Sequence, residues 1–483
     1  MPSSPALHRA RGPAAARAPV EYTGIQAVEG PLVVVEGVEG VGWDEHVEIV
    51  LPGGEVRQGV VLEVSGGLAV VQVFQGTEGL RRRGARVRFT GGPARIPVGE
   101  GWLGRTCNGR GDPVDGGPPI VGRELRGVAG LPVNPARRET PHEAVLTGIS
   151  VIDALTTLVR GQKLPVFSIG GLPHLELAAQ VASQARVEGG SFRIVFAAMG
   201  VTHADAALVR AILERRAGEG DLALIVNTAD DPVVERILTP RIALTVAEHL
   251  AFDLGQHVLV VMADMTSYCE AVREVAAARG EVPGRRGYPG YLYSDLASLY
   301  ERCGRLSGRP GSLTQVPVLT MPAGDITHPV PDLTGYITEG QLVLGPEPWA
   351  RGVYPPFDPL SSLSRLMRLG SGPGRTREDH PEVASQLYAA LARARQVREL
   401  AELVGSAELS DVDRAYLRCA EAFETRLVAQ GQDEDRSLER TLELAWEILT
   451  LLPRSELTRI RPELVGRHLG PPSGAGGPAP GGG

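Results

Sequence analysis

Cysteine is scarce: Cys107, Cys269, Cys303 and Cys419 are the only four in 483 residues, far apart and never in C-x-x-C spacing. A disulfide frame or thiolate metal site would need closer or patterned pairs, so the thiols read as small buried side chains of a reduced protein. Long apolar runs are missing too. A bilayer crossing needs ~20 residues, whereas segments such as Val258 to Ala263 have only strand length, so any membrane role is expected to be peripheral. There is no basic excess: the formal net charge is −8. This weighs against nucleic-acid binding, which calls for a dense basic face, although a central channel can be basic on an acidic protein. The first twenty residues lack any acid and are rich in Arg, Ala and Pro. A transit peptide shares that bias, but Pro2, Pro5, Pro13 and Pro19 would break its helix, so residues 1–20 are expected to be a disordered extension. The Gly/Pro/Ala tail at 470–483 is expected to be disordered as well.

The most consequential absence lies at residues 167–178, Phe-Ser-Ile-Gly-Gly-Leu-Pro-His-Leu-Glu-Leu-Ala. A phosphate loop of the form G-x-x-x-x-G-K-[ST] holds nucleotide phosphates and Mg²⁺ with backbone N–H groups, a Lys and a hydroxyl. Gly170 and Gly171 remain, but His174 stands at the Lys position and Leu175 at the hydroxyl position. Pro173 removes a further N–H. The chain thus has the outline of a nucleotide site without its chemistry, which points to a role exerted on a partner.

Residues 21–95 alternate apolar and polar in short runs, with strands predicted at Leu32–Glu36, His46–Leu51, Val60–Val64, Leu68–Phe74 and Arg86–Phe89. Glycine-rich turns at 52–54 and 66–67 separate them, and the pattern predicts a small β-barrel. From 96 to 380 the texture changes. Val195–Ala198, Leu222–Val226, Val258–Ala263 and Val316–Met321 are continuous apolar runs, as in strands covered on both faces. They alternate with helical patterns at Leu175–Arg186, His203–Arg215, Pro240–Leu254 and Tyr268–Arg279, which predicts a parallel α/β core. Residues 381–469 read as a helical bundle, with helices over Glu382–Leu403, Asp411–Gln430 and Ser437–Leu452 and N-caps at Ser410 and Ser437. The fold class is therefore multidomain: β-barrel, parallel nucleotide-binding α/β core, helical bundle.

Asp264 ends the strand Val258–Ala263, where nucleotide-binding folds keep an acid that orients Mg²⁺ and water. Its alternative role is to cap the following helix. After Ala198 the chain runs Met199-Gly200-Val201-Thr202, with no carboxylate to polarise an attacking water. Arg365, in Leu363-Ser364-Arg365-Leu366, follows the core in a segment flanked by prolines and Gly370. A rigidly delivered Arg can stabilise charge on a transferring phosphoryl group, an effect worth ~10³–10⁵ in turnover; the alternative is a surface Arg paired with an acid. Gly284 to Tyr291 is a glycine- and aromatic-rich loop, either a stacking surface for a nucleic-acid strand or a shaped loop packing on a neighbour. His328 has no second ligand at useful spacing, and no metal site is expected.

Several strings together resemble the B subunits of A/V-type rotary ATPases, the non-catalytic, regulatory partners of the catalytic A subunits. They are Gly30 to Leu32 with Val34 to Gly37, Asn108 to Pro118, Leu158 to Pro165, Gly171 to His174, Glu281 to Gly290, Asp325 to Pro329 and Gly374 to His380. The resemblance spans about residues 21 to 470. It implies the same three-domain layout and an alternating A₃B₃ hexamer around a central stalk, with a peripheral stalk, at the cytoplasmic face of a membrane touched only through the assembled complex. It implies that Arg365 reaches the ATP or ADP and Mg²⁺ site of the neighbouring catalytic chain. It also implies a degenerate nucleotide site here at Gly170, Gly171, His174 and Asp264. Two positions depart from the family's loop: Ile169 stands at its first glycine and Leu175 at its Asn. Ile does not readily take the positive φ open to glycine, and weak or no nucleotide binding follows. An autonomous hexameric ATPase would need the missing Lys, hydroxyl and catalytic acid; a scaffold that has left the motor would have no need of Arg365. Nothing in the sequence separates synthase from pump or H⁺ from Na⁺.

Overall fold

The structure, a computed structural model, describes residues 18–187, 192–404 and 408–470. The tail expected at 470–483 lies outside these residues beyond Gly470, as does the expected N-terminal extension before residue 18. The chain divides into two compact units: residues up to Ile96 with Arg126–Ala129 and Ala278–Gly280, and the remainder.

The first unit is a seven-stranded sheet. Neighbouring strands run antiparallel, and alternate residues (Val33, Val35, Val47, Ile49, Val71, Val87, Phe89) fill a separate apolar core. The five predicted strands are present, but two more precede them. Val20–Tyr22 pairs with Arg86–Pro93, which shortens the expected extension, and Ile25–Glu29 pairs with Leu32–Glu36. Both are short edge strands, too brief for alternation to mark them.

The second unit is built on a mainly parallel sheet. Its strands lie in the order Leu363–Ser364, Gly340–Val343, Val166–Ser168, Ser312–Thr320, His257–Ala263, Phe192–Val201, Leu222–Thr228 and Arg105–Asn108. Along this order all neighbours are parallel except Leu363–Ser364, which pairs antiparallel with Gly340–Val343; Gly304–Leu306 branches off Ser312–Thr320 and carries Arg138–Glu139, both antiparallel. The central strands are buried along nearly their whole length, as their unbroken Val, Ile, Leu and Ala runs require. One predicted helix boundary is wrong. The pattern starts a helix at Pro240, yet the helix runs Val233–Glu248 with Pro240 inside it, then passes into a π-turn at His249–Asp253. Burial of Val234, Ile242, Leu244 and Val246 outweighs the ~3 kcal/mol an interior proline costs.

The C-terminal helices pack in the same unit and share its core: Val383, Leu387, Leu442 and Trp446 join Ile152 and Leu155 in one cluster. His380–Val404 and Leu438–Leu449 appear as predicted, whereas the segment expected as Asp411–Gln430 is helical to Ala422 and continues as a π-turn, Phe423–Val428. Ser410 and Ser437 are N-caps, their hydroxyls accepting from the N–H groups of Asp413 and Arg440.

Candidate functional site: a degenerate loop and an exposed arginine

The strand Val166–Ser168 feeds residues 169–173 into the helix His174–Gln184, so the loop sits at the carboxyl ends of the parallel strands, where α/β sheets bind ligands. The left-handed turn falls on Gly171, with φ of +87°. Ile169 is not among the positive-φ residues, so its β-branch does not bar this backbone. His174 turns back on the loop, its Nδ1–H donating to the Leu172 carbonyl at 2.9 Å. Leu175 is buried and joins the apolar core.

A cavity of about 460 Å³ opens beside this loop, lined by Gly171, His174 and Leu175 together with Asp264, Thr320 and Trp349. Gly170 is exposed and adjoins it in sequence. Asp264 occupies the expected strand terminus, but both of its oxygens are engaged. Oδ1 accepts from the Thr266 N–H at 2.6 Å and the Thr320 N–H at 3.3 Å, and Oδ2 accepts from the Thr320 hydroxyl. It serves as a cap. Glu176, within the same loop string, and Asp205, which no motif of the sequence indicates, also line the cavity. Asp205 corrects the reading that no carboxylate follows the Phe192–Val201 strand, yet it is held in a capping box, accepting from the Thr202 hydroxyl at 2.8 Å. Among the described residues the wall thus presents three carboxylates and one imidazole, with no Lys or Arg. A polyphosphate has no cation to meet it and three charges to oppose it. The donors present do not fit Mg-ATP.

Arg365 is not among the residues lining this cavity. It follows the edge strand Leu363–Ser364 and is exposed. Its backbone N–H donates to the Glu339 carbonyl at 3.0 Å and its guanidinium to the Thr338 carbonyl at 3.2 Å. Many arginines of this chain are paired with acids; Arg365 makes no ion pair among the described residues.

The arginines of the Gly284–Tyr291 loop are spent internally. Arg286 pairs with Asp325 at 2.7 Å and Arg285 with Asp332 at 2.8 Å. Thr327 and Arg286 hold the Asp325 carboxyl low, at about 2. The strings Glu281 to Gly290 and Asp325 to Pro329 are thus joined by ion pairs, and both arginines already face a carboxylate. His328 is an N-cap, its Nδ1 accepting from the Val330 N–H, and its ring meets Tyr288 edge-on. One described trio has metal-ligand types, Glu124, His249 and Asp253, with ligand atoms within 4.8 Å of one another. His249 and Arg309 already engage Asp253, at 3.0 and 3.4 Å. All four cysteines are buried and unpaired, and burial raises the Cys107, Cys303 and Cys419 thiols to about 12.

Family models match along the chain. Residues 25–91 match the β-barrel domain of the ATP synthase alpha/beta family, 148–364 its nucleotide-binding domain, and 369–468 the C-terminal domain of V- and A-type ATP synthases. Arg365 falls in the short interval between the last two. The B subunit of the A-type ATP synthase of Aeropyrum pernix is 55% identical over 450 residues, 93% of this chain and 97% of that one. A solved ATP synthase subunit, NeqB from Nanoarcheaum equitans, is 37% identical with a TM-score of 0.69, over 88% of this chain and 100% of that one. The chain belongs to the ATP synthase alpha/beta family, among the B subunits of A/V-type rotary ATPases. No described helix is long and apolar enough to cross a membrane.

Proposed function

We propose that this chain is the non-catalytic member of an A₃B₃ hexamer, alternating with catalytic A subunits and lending Arg365 to the partner's ATP site. The observation that carries this reading is Arg365 itself: exposed, fixed at its backbone N–H by Glu339, and free of an acid partner among the described residues. A planar guanidinium held this way matches the equatorial oxygens of a transferring phosphoryl group. The loop supports the same division of labour, since three carboxylates without a Lys or Arg among the described residues speak against tight Mg-ATP binding by this chain itself. ATP or ADP with Mg²⁺ would then bind on the A side of the interface. The assembly would join central and peripheral stalks at the cytoplasmic face of a membrane and couple ATP turnover to transport of H⁺ or Na⁺. Arg365→Ala in the assembled complex is expected to lower hydrolysis by ~10³-fold or more, with the mass of the complex unchanged. Normal turnover by that complex would overturn the finger assignment.

A further inference from the structure

Among 49 basic residues, Lys163 is the only lysine; every other one is arginine. Its surroundings set it apart from the surface arginines. Lys163 is 3% exposed and its Nζ sits between two carboxylates, 2.7 Å from Glu301 Oε1 and 3.0 Å from Glu339 Oε1. Its compact ammonium brings three donors to that gap, where arginine would bring a broad planar fork. Burial pulls the ammonium's pKa down, but Cys303 and the carboxylates of Glu339 and Glu301 raise it above the ordinary lysine value, so it stays charged.

The grip on Glu339 is threefold. Besides the Nζ contact, the Lys163 N–H donates to Glu339 Oε2 at 2.8 Å, and the Glu339 N–H donates to the Lys163 carbonyl at 3.0 Å. Glu339 in turn presents the carbonyl that receives the Arg365 N–H, and neighbouring Thr338 presents the one that receives its guanidinium. Buried Gln162 closes the frame, its Nε2 donating to the Glu339 carbonyl at 3.1 Å and to Ser364 Oγ at 3.0 Å. On the far side Arg138 holds Glu301 at 2.7 Å.

Resting on the finger reading of Arg365, we infer that Lys163 is a positioning residue for catalysis at the neighbouring site: through Glu339 it fixes the two carbonyls that set the reach of Arg365. A misplacement near 1 Å can cost ~10²-fold in rate. In the complex reconstituted with its catalytic partner, Lys163→Met is expected to lower kcat ~10–100-fold, with KM for ATP within about twofold and mass unchanged. Lys163→Arg is expected not to restore the rate, although it restores the charge. Single-turnover hydrolysis in an Arg365→Ala background supplies the discriminating readout: there Lys163→Met should cost nothing further, because its effect passes through the missing guanidinium. Should Lys163→Met prevent folding, Glu339→Gln keeps the main-chain contacts of residue 339 and removes the carboxylate charge that faces the ammonium. It should give the same kcat loss and the same silence in the Arg365→Ala background. Wild-type kcat in Lys163→Met or Glu339→Gln, or a full further loss on top of Arg365→Ala, would overturn the inference while leaving the finger intact. An active Arg365→Ala complex would instead remove the reading on which it rests.

Discussion

Leu175 and His174 decide what the loop can do. A hydroxyl in place of Leu175 could ligate Mg²⁺, but the leucine side chain is part of the core beneath the helix His174–Gln184. His174 offers its Nδ1–H to the loop's own carbonyl and cannot reach out as a long lysine would. Glu176, Asp205 and Asp264 then set the sign of the cavity. Titration calorimetry of the isolated chain with Mg-ATP is expected to show no binding tighter than ~1 mM, about −4 kcal/mol. Saturable micromolar binding would contradict this account of the loop. Much of it was legible in the sequence, because loop residues are contiguous and each substitution names the chemistry it removes. Asp205 and Trp349 were not legible, since only the sheet topology brings them beside the loop. The positive φ that Ile169 does not readily take is not asked of it, because the left-handed turn falls two residues later, at Gly171.

Elements are held by buried polar joints as well as by apolar packing. Asp153, fully buried in the helix Ser150–Leu155, accepts from the Thr147 N–H and hydroxyl at 2.8 and 2.7 Å and from the Gly148 N–H at 3.0 Å. The same turn is tied to the C-terminal helices: Ser150 Oγ lies 2.9 Å from Thr441 Oγ1, and Gln430 accepts the Ser150 N–H at 3.0 Å. Burial raises the Asp153 carboxyl to about 6, against the opposing pull of its Thr147 and Gly148 hydrogen bonds. That lies above the ~3.9 of an unfolded Asp. The carboxyl's contribution to stability is therefore complete below about pH 4 and is lost as pH rises through about 6. Asp153→Asn should abolish this pH dependence. It should also lower stability by about 1–3 kcal/mol at pH 7, because an amide nitrogen would face one of the buried N–H donors. Thermal melts between pH 4 and 7 check both; a mutant with the wild-type pH slope would show that Asp153 does not titrate in this window. At this scale the long apolar strands and capped helices were read directly from pattern. The helix through Pro240 was not, because local chemistry ends a helix there and only burial against the sheet overrides it.

For the whole molecule, three of the sequence motifs act as joints. Gly374–His380 links core to bundle, with Arg377 on Asp379 at 2.7 Å, Trp446 Nε1 donating to Asp379 at 2.6 Å and His380 bonded to the Ala154 carbonyl at 3.0 Å. Glu281–Gly290 and Asp325–Pro329 lock together through Arg286. The arginines of these joints face carboxylates, whereas Arg365 stands exposed with no acid partner among the described residues. The central claim is that this chain turns over ATP only by completing a partner's site. The most direct test is to measure ATP hydrolysis by the chain alone, and again after mixing with the catalytic A chain of the same organism, with the mass of the mixture determined. The account predicts no hydrolysis from the chain alone and hydrolysis from a hexameric mixture; hydrolysis by the chain alone, or failure of the two chains to assemble, would contradict it.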